Sequence, residues 1–257
     1  MNLQATVMAT AKAALVEFET LKPHQLSIAA IQLGKSKPEV VGYRANQKFY
    51  PASVVKLHWL VFAHHQMESR NLKRTIELDR ALADMIKDSS NDATGLVVDA
   101  CTGTTGGPEL GKSEMERWQE KRNAANRFFA EKGYKDINVN QKTWGDGPYG
   151  RERQSYGPNF ENRNSLTASA TAQLWAEIAN GQAVSKARSE QMLELLRRDN
   201  PADNKSEDPQ ATDFIGKSLP KGAQLYSKAG WTSTVQHDSA LIVLPNGMKL
   251  ILVIFTK

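Results

Sequence analysis

Pro51-Ala52-Ser53-Val54-Val55-Lys56-Leu57 places a hydroxyl three residues ahead of an amine at the start of an apolar helix. Positions i and i+3 share a helical face, so the two groups can meet. A hydroxyl is a weak nucleophile at its free pKa and needs such a neighbouring base. The same spacing recurs at Ser218-Leu219-Pro220-Lys221, where Pro220 and its polar surroundings make a loop. Ser53 differs because Leu57, Trp59, Leu60, Val61 and Phe62 follow it. A helix apolar on nearly all sides is a buried one. Burying a hydroxyl and an amine at its start is costly unless they are paired.

Outward from this helix, residues 3–21 read as an amphipathic helix, followed by strands over Leu26–Leu33 and Glu39–Tyr43 with a turn at Gly34-Lys35-Ser36. A second helical pattern covers Thr75 to about Val98. Leu78, Leu82, Met85 and Ser89 recur on one face of it, which puts Ser89 on an otherwise apolar stripe. Thr102–Pro108 is a Gly/Thr-rich turn, and Ser113–Lys132 a charged helix. Residues 140–165 show no usable period, and a loop that long inside a compact domain is usually functional.

Two further helices span Leu166–Ala179 and Ser185–Arg198, with a polar loop over 199–213. Gln224–Ser233 is a strand, and Ser239–Leu244 pairs with Lys249–Thr256 through Pro245-Asn246-Gly247, a strong hairpin signal. The order predicts an α+β fold. Strands from both ends of the chain form one antiparallel sheet flanked by helix, with an inserted all-α subdomain. On this reading residues 1–50 and 214–257 form the sheet part and residues 51–213 the helical part. The two make one structural unit with the active site between them.

At 257 residues the chain is long enough for one large domain or two closely packed ones. The net charge of +5 is spread along the chain with no dense Lys/Arg block, which argues against a nucleic-acid partner. Cys101 is the single cysteine, so no intrachain disulfide forms. His64 and His65 are adjacent and point apart on a helix, and no paired-ligand spacing exists, so no metal is expected. No run is apolar and long enough for a membrane span, and the N-terminal stretch lacks a signal-type apolar core. The chain is therefore cytoplasmic, or periplasmic or secreted with an export signal removed.

Three short motifs fall in order: Ser53-x-x-Lys56, Ser89-Ser90-Asn91, and Lys228-Ala229-Gly230. This arrangement resembles the penicillin-recognising serine hydrolases, above all class A β-lactamases, with their S-x-x-K, S-D-N and K-T-G elements. The likeness extends over Tyr43–Leu60, Ser89–Val98, Asn164–Leu196 and Tyr226–Thr256, in that order along the chain. It implies a β-lactamase/transpeptidase-like fold and no cofactor.

The resemblance also implies roles. Ser53 attacks a carbonyl carbon to form an acyl-enzyme, Lys56 takes or relays its proton, and Ser89 passes a proton towards the leaving nitrogen. Asn91 hydrogen-bonds the substrate's side-chain amide. Lys228 supplies positive potential for a substrate carboxylate and helps keep Lys56 neutral. Gly230 completes the third motif, and the backbone N–H groups of Ser53 and Trp231 form an oxyanion hole. His237, nine residues past Lys228, stands in register with a family arginine that contacts the carboxylate.

Departures from the pattern bear on turnover. Ala229 replaces the usual Ser or Thr, removing a hydrogen bond worth about 1–3 kcal/mol. Ser90 replaces the middle aspartate, and the 36 residues from Ser53 to Ser89 are fewer than usual. The family adds a C-terminal helix over the sheet. Here Lys257 follows the last strand directly, so either the helix at 3–21 covers that face or a second copy does, as a homodimer.

For deacylation Glu152 is favoured over Glu161, which has Asn164 three residues on; either could instead be a surface carboxylate paired with Arg151, Arg153 or Arg163. The expected function is a serine hydrolase on β-lactam or related amide and ester substrates, small or peptide-like, with weak β-lactamase turnover. The alternatives are a D-Ala-D-Ala peptidase or penicillin-binding protein, and a catalytically retired binding protein on the same fold.

Overall fold

The computed structural model describes residues 2–34 and 39–257. Lys35 and Ser36 of the expected turn lie outside the described residues. In chain order the elements are α1 (Leu3–Glu17), β1 (Leu26–Gln32), β2 (Val41–Tyr43), β3 (Lys48–Phe49), α2 (Val55–Glu68), α3 (Ile76–Lys87), α4 (Asn91–Thr102), α5 (Lys112–Arg122), α6 (Ala124–Glu131) and α7 (Gly150–Ser155). They continue with β4 (Leu166–Thr167), α8 (Ala168–Ala179), α9 (Lys186–Leu196), β5 (Arg197–Arg198), α10 (Pro209–Thr212), β6 (Gln224–Ser227), β7 (Gly230–Trp231), β8 (Gln236–Val243) and β9 (Lys249–Thr256). The chain divides into two compact units, Met1–Val54 with Thr167–Lys257, and Val55–Leu166.

The first unit is built on an antiparallel sheet in the order β2-β1-β9-β8-β6-β5, with β7 also paired to β8. Strands from the two ends of the chain meet as the sequence predicts: β1 and β9 pair along their whole length, with Ala29 opposite Val253. Successive side chains point to opposite faces of a sheet. Leu26, Ile28 and Ala30 accordingly face α1, meeting Val7 and Ala11 with Leu252 and Ile254 beside them. Further along that face Leu225, Ala240 and Ile242 pack on Ala211 of α10. The opposite face is covered by α8, which lies on β1, β9 and β8.

Two expectations about this unit change. The strand over Gln224–Ser233 is interrupted between Ser227 and Gly230, so β6 and β7 are separate pieces on β8. Helices α8 and α9 pack with the sheet, although the sequence grouping counts residues up to 213 as helical insert. The apolar stripe of α8 is why: Leu174, Trp175 and Ile178 are fully buried.

The second unit is helical, with α2 packed on α3, α4 and α6. Here the expected Thr75–Val98 helix is two helices. Ser89 takes a left-handed conformation (φ 55°) and Ser90 caps α4, accepting from the Ala93 amide at 3.2 Å. A capping hydroxyl satisfies an amide that a helix start leaves orphaned. Ser89 thus sits in the turn between helices, not on an apolar stripe. The expected Ser113–Lys132 helix likewise breaks at Asn123.

The segment without a sequence period is held by amide side chains. Asn164 Oδ1 accepts from the Asn140 and Gln141 amides, and Asn140 Nδ2 donates to Asn123 and Asn162. Replacing Trp175 with Ala empties a fully buried site on α8, and should cost about 3–5 kcal/mol in urea unfolding.

Candidate active site

In the sheet unit, Ser53 lies on a 3-10 turn, Ala52–Val54, closed by the Val54 N–H donating to Pro51 O at 3.0 Å. The preceding Ala52 has φ 46°, a conformation that costs a non-glycine residue energy and is common at functional turns. Strand β7 runs directly against this turn. A Cβ built on Gly230 would fall 2.6 Å from Ser53 N and 2.8 Å from both Pro51 O and Val54 N. Only glycine tolerates that approach, and it is what brings the β7 backbone beside the Ser53 amide. Trp231, the next residue, is 46 % exposed and packs at 5.5 Å on Phe214.

Lys228 is fully buried, and its ammonium donates to Gln210 Oε1 at 2.5 Å and to Ala229 O at 2.8 Å. Gln210, on α10, also accepts from the Ala229 amide, so it fixes both the lysine and the strand. Sequence reading missed Gln210 because nothing in a polar loop marks one amide side chain over another. Beneath, Asp238 accepts from the Ile215 and Ser239 amides, and burial pushes its carboxyl up to about 6.

His237 lies on β8. It is buried between Phe49 and Phe255, its Nε2 bonds Tyr50 O at 2.8 Å, and its Nδ1 accepts from the Thr256 amide at 3.1 Å. Both ring nitrogens therefore serve backbone groups, and burial lowers the pKa so that the ring stays neutral.

In the helical unit, Lys56, Ser89 and Asn91 converge. Lys56 is fully buried, and its amine lies 2.5 Å from Ser89 O, 2.9 Å from Asn91 Oδ1 and 3.2 Å from Ser89 Oγ. Burial pulls the amine down to about 7 from an ordinary 10.5. Desolvation is the cause, where the sequence reading invoked the like charge of Lys228. The left-handed backbone at Ser89 is what presents its carbonyl and hydroxyl to the same amine.

Glu152, on α7, is fully buried and bound to cations. The Arg122 guanidinium grips it bidentately at 2.8 and 2.9 Å, and Lys142 lies 3.1 Å away. Asp99 completes a ring, 2.6 Å from Lys142 and 3.2 Å from Arg122. Burial raises the Asp99 pKa against the pull of these cations. Arg122 also donates to Thr104 and stacks on Trp118 at 4.2 Å. Neither the catalytic nor the surface reading of Glu152 foresaw these partners. Arg122 and Lys142 are scattered basic residues in the sequence, with no pattern to single them out. Glu161, the other candidate, is exposed and caps its own loop at the Asn159 amide.

Among the described residues no group of three or more His, Cys, Asp or Glu is placed to hold a metal, and no helix is long and apolar enough to cross a membrane.

Residues 67–257 match the model of the Beta-lactamase enzyme family. The matched part begins beyond Ser53 and Lys56 and contains Ser89, Asn91, Glu152 and Lys228. Solved structures share the fold at low identity. A β-lactamase from Sphaerobacter thermophilus is 19 % identical with a TM-score of 0.68, covering 96 % of this chain and 88 % of its own. A PBP-A variant, solved as an acyl-enzyme complex with penicillin G, is 17 % identical at 0.68, covering 98 % and 88 %. A variant of the TLA-1 extended-spectrum β-lactamase is 15 % identical at 0.69, covering 100 % and 91 %. No curated protein matches the chain. At these identities the structural likeness speaks for the fold alone.

Two outcomes follow from the geometry. Arg122→Met leaves Glu152 and Asp99 short of their shared cation and should cost about 3–5 kcal/mol in urea unfolding, as for a broken buried pair. Gly230→Ala should drive β7 off the Ser53 turn and cost about 1–3 kcal/mol in urea unfolding, while far-UV circular dichroism stays that of the native fold.

Proposed function

Because the chain belongs to the beta-lactamase enzyme family, we propose that it is a serine hydrolase that acylates on Ser53. The observation that carries this reading is the buried Lys56 amine, pulled down to about 7 and held by Ser89 and Asn91. An amine near neutrality is a competent proton acceptor at physiological pH. In acylation Ser53 Oγ adds to the substrate carbonyl as its proton passes to Lys56 Nζ. The carbonyl–nitrogen bond then breaks, and a proton returns through Ser89 to the leaving nitrogen. The Ser53 and Trp231 amides stabilise the oxyanion, each such donor being worth roughly 3 kcal/mol. Asn91 reads an amide of the substrate and Lys228 a carboxylate. The substrates are β-lactams or related amides and esters.

Deacylation is the slow half on this reading. A carboxylate that activates water needs oxygen lone pairs turned to that water. Glu152 gives three of its acceptor positions to Arg122 and Lys142. This favours a long-lived acyl-enzyme, so a penicillin-binding peptidase stands as the second reading.

Intact mass of the protein mixed with penicillin G tests both. The expected result is a slowly lost adduct on the wild type and none on Ser53→Ala. Labelling that survives in Ser53→Ala would exclude Ser53 as the nucleophile. Rapid loss of the adduct with product release would mean efficient turnover and return Glu152 to the chemistry.

A further inference from the structure

The sheet face that carries α1 is covered at its two sides. Helix α1 packs on β1 and β2, while α10 packs on β6 and the 3-10 turn Ile215–Ser218 on β8. Between them a cavity of about 510 Å³ runs along β8 and β9. Its floor is Ile242, Leu252 and Ile254, and its wall Phe214, Ile215 and Leu219. All but Ile242 are only partly buried, so their apolar surface is open to whatever enters. Pockets of this size and lining take small organic groups.

The cavity begins beside the Ser53 turn. Its end is formed by Gln236 and Thr256, which face each other across the ladder, and Gln236 is also the partner of Trp231 on β7. Phe214 both lines the cavity and packs at 5.5 Å on the Trp231 ring. Trp231 follows Gly230, the residue pressed against the Ser53 amide, and is 46 % exposed. Apolar surface therefore leads from the Ser53 turn over Trp231 and Phe214 into the cavity. Thr256 and Leu252 are four residues apart on β9, about 13 Å at the rise of a strand. That length suits an extended group, not a methyl.

The lining also sets the sign of charge. Among the described residues it holds no lysine or arginine. Its carboxylates are Asp213, which is exposed, and Asp238, whose two oxygens already accept the Ile215 and Ser239 amides. An anionic group is repelled here and an uncharged apolar one is not. The position relative to Lys228 says which part of a substrate lies closest. Gln210, which holds Lys228, is on α10, and Phe214 comes two residues after that helix ends. In a penicillin the carboxylate that Lys228 would attract is attached on the side of the leaving nitrogen. We propose, on the acylation reading above, that this cavity takes an uncharged alkyl or aryl arm carried by the expelled portion of the substrate.

Phenylacetyl esters of lactate, 3-phenyllactate and 2-hydroxyoctanoate test this, since they differ only in the arm beside the carboxylate. Ser53 Oγ bonds to the carbonyl carbon, the ester carbon–oxygen bond breaks, and the hydroxy acid leaves with the proton relayed from Lys56 through Ser89. All three esters leave the same phenylacetyl group on Ser53, and intact mass reads its rate of formation. The expected rate with a benzyl or hexyl arm is at least about tenfold that with methyl, a preference that falls below about threefold in Phe214→Ala and Leu219→Asp. Equal rates for the three esters overturn the proposal. A second readout needs no acylation: the free hydroxy acids are titrated into Ser53→Ala by calorimetry. There 2-hydroxyoctanoate should bind at least about tenfold more tightly than lactate. Equal binding, or a preference that both cavity variants leave intact, overturns the proposal as well. Penicillin G labelling is scored alongside. Labelling of Ser53 without any arm preference removes the cavity's role alone. No labelling, with the long arm still preferred by Ser53→Ala, removes the acylation reading and keeps the cavity as the arm's site.

Discussion

A primary amine with no solvent exposure survives in a fold only when its hydrogen-bonding capacity is met and its charge is negotiable. Lys56 meets both conditions, and much of the helical unit is arranged to allow it. The helix that carries it is buried over Val55–His64, so the amine has no route to water along its own element. Its acceptors must come from a neighbour. They come from the turn between α3 and α4, where a left-handed Ser89 turns its carbonyl and hydroxyl inward and Ser90 starts the next helix. Extending α3 through Ser89 would tie that carbonyl into the helix ladder and leave the amine unsatisfied. The break in the helix and the burial of the amine are thus one constraint.

The ring of Asp99, Arg122, Lys142 and Glu152 is the second costly arrangement in the same unit. Two bases and Glu152 out of water, with a half-buried Asp99, are sustained by mutual contact, and a buried pair of this kind is weak evidence for net stability. Its effect is geometric. Arg122 and Asp99 are on helices, while Lys142 and Glu152 are on the long segment without a sequence period. The ring therefore ties that segment to the helices from inside, and the asparagine network at residues 138–164 ties it along its edges. The same fixation withholds Glu152 from easy use as a base.

Much of this was legible in the sequence. The Pro245-Asn246-Gly247 turn gave the last hairpin, and the apolar run after Ser53 gave the buried helix. The convergence of Lys56, Ser89 and Asn91 was legible because their spacing resembles a known pattern. The break at Ser89 was not, since helical periodicity runs on through it and only the capping hydroxyl of Ser90 argues otherwise. The contacts of His237 were not legible either, since register says which residue faces a position, not which backbone groups its nitrogens meet. Arg122, Lys142 and Gln210 carry long-range partners that no local pattern encodes.

The central claim is that the Lys56 amine takes the proton of Ser53. It is tested most directly by the rate of Ser53 acylation by penicillin G across roughly pH 5 to 9. Lys56 acts when neutral, and its amine gains a proton as pH falls through about 7. The account predicts a rate that is level above that point and drops about tenfold per unit well below it. A rate independent of pH over the whole range, or one still climbing at its top towards an ordinary lysine value, would contradict it.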